Sequence, residues 1–267
     1  MNKSIIIIPT YNESENVAEM IKTIFSLHVP FDILIVDDNS PDGTAQIVKD
    51  LQKDILELPA DHERFLYLLE RKEKSGLGTA YITGFKFAIE KNYQFIFEMD
   101  CDFSHNPADL VRLHETAVQE NIDLVIGSRY VTGVNVINWP IGRVLMSYFA
   151  SVYVRMVTGM PVFDTTAGFK CYRKEVLETI QLDKIKFVGY AFQIEMKFKT
   201  WKHGFKLKEI PIIFTERTRG ESKMSKKIFK EAVLGVLRMK IKSWFINYKK
   251  LRDNRSSSIQ SLPNTSK

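Results

Sequence analysis

Five short apolar runs, each closed by polar or glycine residues and followed by a helical pattern, constrain this chain most. Residues 4–8 form a continuous β-branched run, and 33–36, 65–69, 95–97 and 123–126 are further short, mainly apolar runs. Runs that are apolar throughout, rather than alternating, suit strands covered on both faces of a parallel sheet. Between them lie amphipathic stretches. The first has an apolar face of Val17, Met20, Ile21 and Ile24, with Asn12 or Ser14 as cap; others cover 44–51, the residues from Thr79 to Ala88, and 108–119. Strand and helix alternate with short links, so residues 1–130 read as one Rossmann-like, doubly wound, mostly parallel α/β sheet.

The polar clusters share one position. Tyr11/Glu13, Asp37/Asp38, Gly76/Gly78, Asp100/Asp102 and Arg129 each follow the carboxyl end of a predicted strand. Ligands bind at that rim in open α/β sheets. Asp100 and Asp102, one residue apart, offer hard oxygen ligands for Mg²⁺ or Mn²⁺. Such a pair also occurs in plain turns; a strand before it and a helix after it favour the ligand reading. Gly76 and Gly78 match neither a P-loop nor a full dinucleotide fingerprint, and serve a tight turn or phosphate contact equally. One of Asp37 and Asp38 is expected to cap the next helix, leaving the other to face a ligand.

At 267 residues, 45% hydrophobic and 26% charged, the chain suits one large soluble domain with an appendage. Cys101 and Cys171 give no disulfide framework and fit a reducing compartment. The run at 5–8 is too short for a secretory core, and no apolar run reaches bilayer length. A net charge of +6 calls for an anionic partner. Carboxylates interleaved at the rim argue against nucleic acid, whereas basicity near the carboxyl terminus fits anionic lipid.

The second half has a different character. Residues 141–158 are apolar but carry Arg143, Ser147, Tyr148 and Arg155, a pattern that fits either a membrane interface or a buried helix. A loop at 163–169 feeds a short strand; 188–201 reads as a helix, 205–214 as a strand, and 215–223 as a basic loop. A helix over 226–248 carries Ile228, Ala232, Val236, Met239 and Ile246 on one side and Glu231, Arg238, Lys242 and Lys249 on the other. This amphipathic helix suits a membrane surface or packing on the domain equally. The expected organisation is a catalytic domain at 1–225, divided near residue 130, then the 226–250 helix and a disordered tail at 251–267.

The motifs, taken in order, resemble a known family. Pro9-Thr10-Tyr11-Asn12-Glu13, Val36-Asp37-Asp38-Asn39-Ser40-Pro41-Asp42-Gly43-Thr44, Gly76-Leu77-Gly78-Thr79 and Met99-Asp100-Cys101-Asp102-Phe103-Ser104-His105 come first. Gly127-Ser128-Arg129-Tyr130, Asp164-Thr165-Thr166-Ala167-Gly168-Phe169-Lys170, Gly189-Tyr190-Ala191-Phe192-Gln193 and Arg217-Thr218-Arg219-Gly220-Glu221-Ser222-Lys223 follow. The chain resembles the polyprenol (dolichol) phosphate mannosyltransferases, within the inverting nucleotide-sugar glycosyltransferases of GT-A fold. The resemblance implies that Pro9, Tyr11, Glu13, Val36 and Asp38 hold the guanosine end of GDP-mannose. It places the metal on Asp100 and Asp102, with backbone contacts from Met99 and Cys101. It gives the acceptor phosphate of a polyprenyl phosphate to Arg129, Arg143 and Ser147, and closure over the donor diphosphate to Arg217 and Lys223. Asp100, Asp102, Arg129 and Arg143 would be the catalytic set. Cys101 and Lys170 depart mildly from the family's usual alanine and arginine. The implied place is the cytoplasmic face of a membrane, held by the carboxy-terminal helix or a separate anchoring partner. Another nucleotide sugar, a hydroxyl acceptor served by a carboxylate base such as Asp164 or Glu195, and a non-catalytic lipid-binding module are the competing expectations.

Overall fold

The computed structural model describes residues 3–56, 64–216 and 226–253. Its first half runs β1 (Ser4–Thr10), α1 (Val17–Phe25), β2 (Phe31–Asp37), α2 (Thr44–Leu56), β3 (Leu66–Glu70), α3 (Leu77–Glu90), β4 (Phe95–Glu98), α4 (Asp109–Gln119) and β5 (Leu124–Ser128). The second half adds β6 (Val136–Ile137), α5 (Ile141–Thr158), β7 (Lys170–Arg173), α6 (Lys174–Thr179), α7 (Tyr190–Lys202), β8 (Leu207–Pro211), β9 (Phe214–Thr215) and α8 (Lys226–Ser243). Seven strands form the central sheet in the order β3-β2-β1-β4-β7-β5-β8, and β6 pairs with β9 separately. The mostly parallel α/β sheet read from the sequence is therefore the architecture found.

The uninterrupted isoleucine run is explained by cover on both faces. Ile5 and Ile7 join Leu34 and Val36 in a layer completed by Tyr81 and Phe85 of α3 and Phe192 of α7. Ile6 and Ile8 join Ile33 and Ile35 under Val17 and Met20 of α1 and Leu110 of α4. Successive strand residues point to opposite faces, so each isoleucine removes apolar area from water on its own side. Gly84 lets α3 lie close on β1, since a Cβ there would sit 2.5 Å from Cγ2 of Ile7.

Register puts the strand ends level. Thr10 is opposite Asp37, Asp37 opposite Glu70, and Ile7 opposite Glu98. The segments after β1, β2, β3 and β4 thus emerge on a single rim. Asn12 (φ +59°) and Asn39 (φ +58°) make the left-handed turns there, a conformation asparagine tolerates better than most side chains.

The short strand expected after residue 169 is present; it is antiparallel and inserts at the centre, between β4 and β5, with Lys170 opposite both Glu98 and Ile126. Two expectations are corrected. The strand read over 205–214 is two strands in two sheets, β8 pairing with β5 and β9 with β6, and Ile212 and Ile213 link them. The helix read to 248 stops at Ser243, before Trp244 and Phe245.

Among the described residues no helix is long and apolar enough to cross a membrane. α5 buries Ser151, Val154 and Thr158, yet leaves Ile141, Leu145, Met146, Phe149 and Met156 exposed. α8 packs on α5 and α7; Val236 is buried, while Leu234, Leu237 and Ile241 face outward. Apolar side chains therefore occur on more than one side of α8, which departs from the two-sided pattern read from the sequence.

Candidate active site

A cavity of about 460 Å³ opens over the strand ends, and Asp100, Asp102, Arg129, Arg143 and Ser147 all line it. Its far wall is apolar: Met146, Phe149, Ala150 and Tyr153 come from α5, and Val233 and Val236 from α8. Among the described residues, Asp100 and Asp102 are the only acids on the wall.

Each member is held by the loop after its strand. One Asp100 oxygen accepts from the Tyr81 hydroxyl (3.3 Å), and the Asp102 Oδ1 accepts from the Ser104 N–H (3.1 Å). Between them Phe103 takes φ +56°, left-handed backbone that costs a bulky residue roughly 1–2 kcal/mol. The next turn fixes it. The Thr215 N–H donates to the Ser104 carbonyl (3.1 Å), and His105 stacks on Phe169 at 4.9 Å and meets Phe214 edge-on at 5.2 Å. Two carboxylates with oxygens turned to a cavity match the donor set Mg²⁺ or Mn²⁺ takes alongside substrate phosphate and water. No third acid or imidazole completes a protein-only cage among the described residues.

The arginines are already engaged. Arg129 grips Asp164 with Nε and Nη2, both at 2.7 Å, and its backbone N–H donates to the same carboxylate at 3.0 Å. Nη2 also reaches the Thr166 hydroxyl at 2.8 Å. Glu209 of β8 sets this loop by accepting the Phe163 (2.7 Å) and Asp164 (2.8 Å) N–H groups. Burial alone would raise the Asp164 carboxyl, but the Arg129 charge and hydrogen bonds outweigh it and hold the group below its ordinary value. Arg143 pairs with Glu216 and lies over the Trp139 ring at 4.1 Å. Ser147 neighbours the Tyr130 hydroxyl.

The remaining expected residues sit as follows. Pro9, Tyr11 and Glu13 continue β1 onto the rim; Lys74 lies 3.9 Å above the Tyr11 ring, and Glu13 accepts from Asn16 at 2.9 Å. Asp38 pairs with Arg71 at 2.8 Å. Val36 is wholly buried in the core beneath the rim, so its backbone is the part that can face a ligand. Met99 and Cys101 are likewise buried, in keeping with backbone roles. Neither Asp37 nor Asp38 caps α2. Asp37 closes its own turn on Ser40 (2.8 Å) and Thr10 (2.8 Å), and Asp42 accepts the Thr44 N–H instead (3.1 Å). Gly76 (φ +100°) makes a turn, and Gly78 gives Phe192 room, since a Cβ would sit 2.8 Å from that ring; this is the packing reading. Glu195 is no base: it accepts the Lys186 (2.9 Å) and Phe187 (3.1 Å) N–H groups and pairs with Lys199 (3.0 Å), off the cavity wall. Arg217 and Lys223 lie outside the described residues.

Sequence reasoning missed a buried charged network behind the site. Lys170 and Glu98, both fully buried, lie 3.0 Å apart. Gln193, on the cavity wall, donates to Glu98 (2.9 Å) and accepts from Lys170. Lys197 donates to the Ala167 (2.6 Å) and Thr165 (3.1 Å) carbonyls, pinning the loop that carries Asp164.

His105 supplies a pH test. Burial lowers its pKa from 6.5 to about 4, against the opposing pull of Asp102. The folded ring stays neutral where the unfolded one takes a proton. Its contribution to stability is complete above pH 6.5 and is lost as pH falls toward about 4, with a slope of up to ~1.4 kcal/mol per unit. His105→Phe is expected to flatten that part of a denaturation-versus-pH curve. An unaltered curve would refute the assignment.

Comparison with known proteins agrees with this geometry. The family model described as Glycosyl transferase family 2 matches residues 5–181. A polyprenol monophosphomannose synthase from Mycolicibacterium smegmatis is 42% identical over 234 residues, covering 88% of this chain and 85% of that one. An undecaprenyl-phosphate mannosyltransferase from Micrococcus luteus is 43% identical over 232 residues, covering 87% and 91%. Among solved structures, the mannosyltransferase PcManGT from Pyrobaculum calidifontis, in complex with GDP-Man and Mn²⁺, superposes with a TM-score of 0.57. It is 15% identical, with 99% of this chain and 76% of that one covered, and so speaks to the fold alone. With the family match spanning most of the chain and two relatives above 40% identity, this protein belongs to glycosyltransferase family 2 and is a GT-A glycosyltransferase.

Proposed function

We propose that this chain transfers mannose from GDP-mannose to a polyprenyl phosphate, with inversion, giving a β-mannosyl phosphoryl lipid. The observation carrying the reading is the cavity's composition. Asp100, Asp102, Arg129 and Arg143 line one space together with apolar residues of α5 and α8. An acceptor hydroxyl would need a carboxylate base, yet Asp164 is locked by Arg129 and Glu195 is occupied elsewhere. A phosphate monoester arrives already ionised and needs positioning rather than deprotonation. The two relatives' names support the same acceptor class and the same sugar.

In this reading the rim residues Pro9, Tyr11, Glu13 and Asp38, with the Val36 backbone, hold the guanosine. Asp100 and Asp102 hold Mg²⁺ or Mn²⁺, which would neutralise charge growing on the leaving diphosphate. Arg217 and Lys223 approach the same diphosphate from the basic loop. Arg129, stiffened by Asp164, and Arg143, with Ser147, orient the acceptor phosphate for in-line attack on the anomeric carbon. Fixed guanidiniums suit bidentate oxygen recognition and need little reorganisation as charge moves. Met146 and Phe149, exposed on α5, line the cavity, so in this reading the lipid enters from a bilayer against which α5 and α8 lie. In this reading the chain is peripheral on the cytoplasmic face of a membrane, with or without a separate anchoring partner.

The direct test presents polyprenyl phosphate with GDP-, UDP- and dTDP-sugars and reads product and anomeric configuration by NMR. β-Mannosyl phosphate from GDP-mannose is expected; turnover only with a hydroxyl acceptor would remove the reading. Glu216 adds a finer expectation, because it occupies Arg143 where the acceptor phosphate must bind. Glu216→Gln should lower KM for the lipid phosphate about two- to fivefold, the range of a half-exposed ion pair, with the donor KM unchanged.

A further inference from the structure

A second pocket of about 660 Å³ lies on the other side of α8, between that helix, α7 and the segment 181–187. Lys184, Lys186, Arg238 and Lys242 line it together with the apolar Phe187 and Met239. It shares no residue with the active-site cavity, whose α8 contacts are Val233 and Val236. We propose that this pocket seats the phosphate headgroup of an anionic bilayer lipid. The inference rests on the reading that α5 and α8 lie against a membrane.

Charge carries the argument. Lys186, Arg238 and Lys242 converge on the pocket wall, and the nearby Lys186 charge, chiefly, lowers the Lys242 ammonium below its usual value. Like charges on one wall repel, and among the described residues no available acid on that wall offsets them. The pocket's one acid, Glu195, is spent on two backbone N–H groups and Lys199. His203 turns its Nδ1 to the Tyr248 carbonyl at 3.2 Å. Among the described residues Lys186, Arg238 and Lys242 form no salt bridge with a carboxylate. A concave wall of converging cations without counter-charge is an anion site. The surroundings select an anion that carries hydrocarbon: Leu234 is 56% exposed at the pocket, and Trp244 and Phe245 are 69% and 84% exposed just past Lys242. An aromatic pair beside lysines is the composition favoured at the headgroup level of a bilayer. Gly235 shapes the wall, because a Cβ there would sit 2.4 Å from the Phe187 ring, and so α8 can close on the segment that bears Lys186.

The test is cosedimentation of the full chain with phosphatidylcholine vesicles, with and without phosphatidylglycerol. The wild type is expected to bind both and to prefer the anionic ones, the preference fading with salt. Lys186→Gln with Lys242→Gln should lower binding to anionic vesicles about thirtyfold, as expected for two lost lysines at roughly fivefold each, with neutral-vesicle binding and melting temperature kept. The charge-matched pair Lys22→Gln with Lys91→Gln should change little. An undiminished preference in the first variant, or an equal loss in the second, overturns the pocket while the membrane reading stands. Absence of wild-type binding to either vesicle defeats both. Inorganic phosphate serves as the soluble arm: millimolar saturation of the pocket without any vesicle preference would make it a free-anion site and overturn the lipid assignment.

Discussion

Asp102→Ala is expected to reduce sugar transfer by two to three orders of magnitude while leaving the melting temperature within a few degrees of wild type. The barrier should rise by roughly 3–4 kcal/mol, the loss seen when one preorganised electrostatic contact is removed from a transition state. Stability should barely change because Asp102 is half-buried and stands at a loop, outside both core layers. Its backbone-directed bond to Ser104 is a local one, of the kind whose loss costs about 1 kcal/mol. The measurement is kcat/KM across a Mn²⁺ titration, paired with thermal melting. Near-normal turnover would dispose of the metal role for this residue. A fall in melting temperature that matches the loss of activity would mark it as structural.

Lys170→Met is expected to act in the opposite way, through the fold. It strands Glu98, fully buried, without its cation. Breaking a buried pair by removing one partner typically costs about 3–5 kcal/mol, a large share of the roughly 5–15 kcal/mol that keeps a domain folded. Burial lowers the Lys170 ammonium and Glu98 pulls it back up, so the two charges sustain each other. The double variant Lys170→Met with Glu98→Leu should recover most of the loss, because exchanging a whole buried pair for apolar volume is often neutral. Urea denaturation of the single and double variants decides this; equal destabilisation in both would mean that the pair is not the unit of stability.

The sheet was legible in the sequence and its charged interior was not, for a physical reason. Strands covered on both faces must be apolar throughout, and that requirement writes itself locally, as in Ile5–Ile8. A loop at a strand's end must be polar wherever it meets water or ligand, which made Asp100, Asp102 and Arg129 visible. Ion pairing leaves no such local mark. Arg129 finds Asp164 across 35 positions and Lys170 finds Glu98 across 72 (170 less 98), and a lysine destined for the core looks like any surface lysine. The break after Pro211 escaped notice because Ile212 and Ile213 are as apolar as the strand they leave. The central place of β7 could not be read from a four-residue run, since pairing partners are chosen by topology.

That late strand has a consequence for how the molecule is assembled. β1 to β4 can pair among themselves as soon as residue 98 is made, but β4 then presents a bare backbone edge until residues 170–173 arrive to zip it to β5. A fragment ending near residue 130 would carry that open edge into solution, a template for pairing with another copy. The chain is thus committed to finishing: nascent material stays adhesive at its middle until the seam closes, and the separation between partners makes closure the slow event of folding.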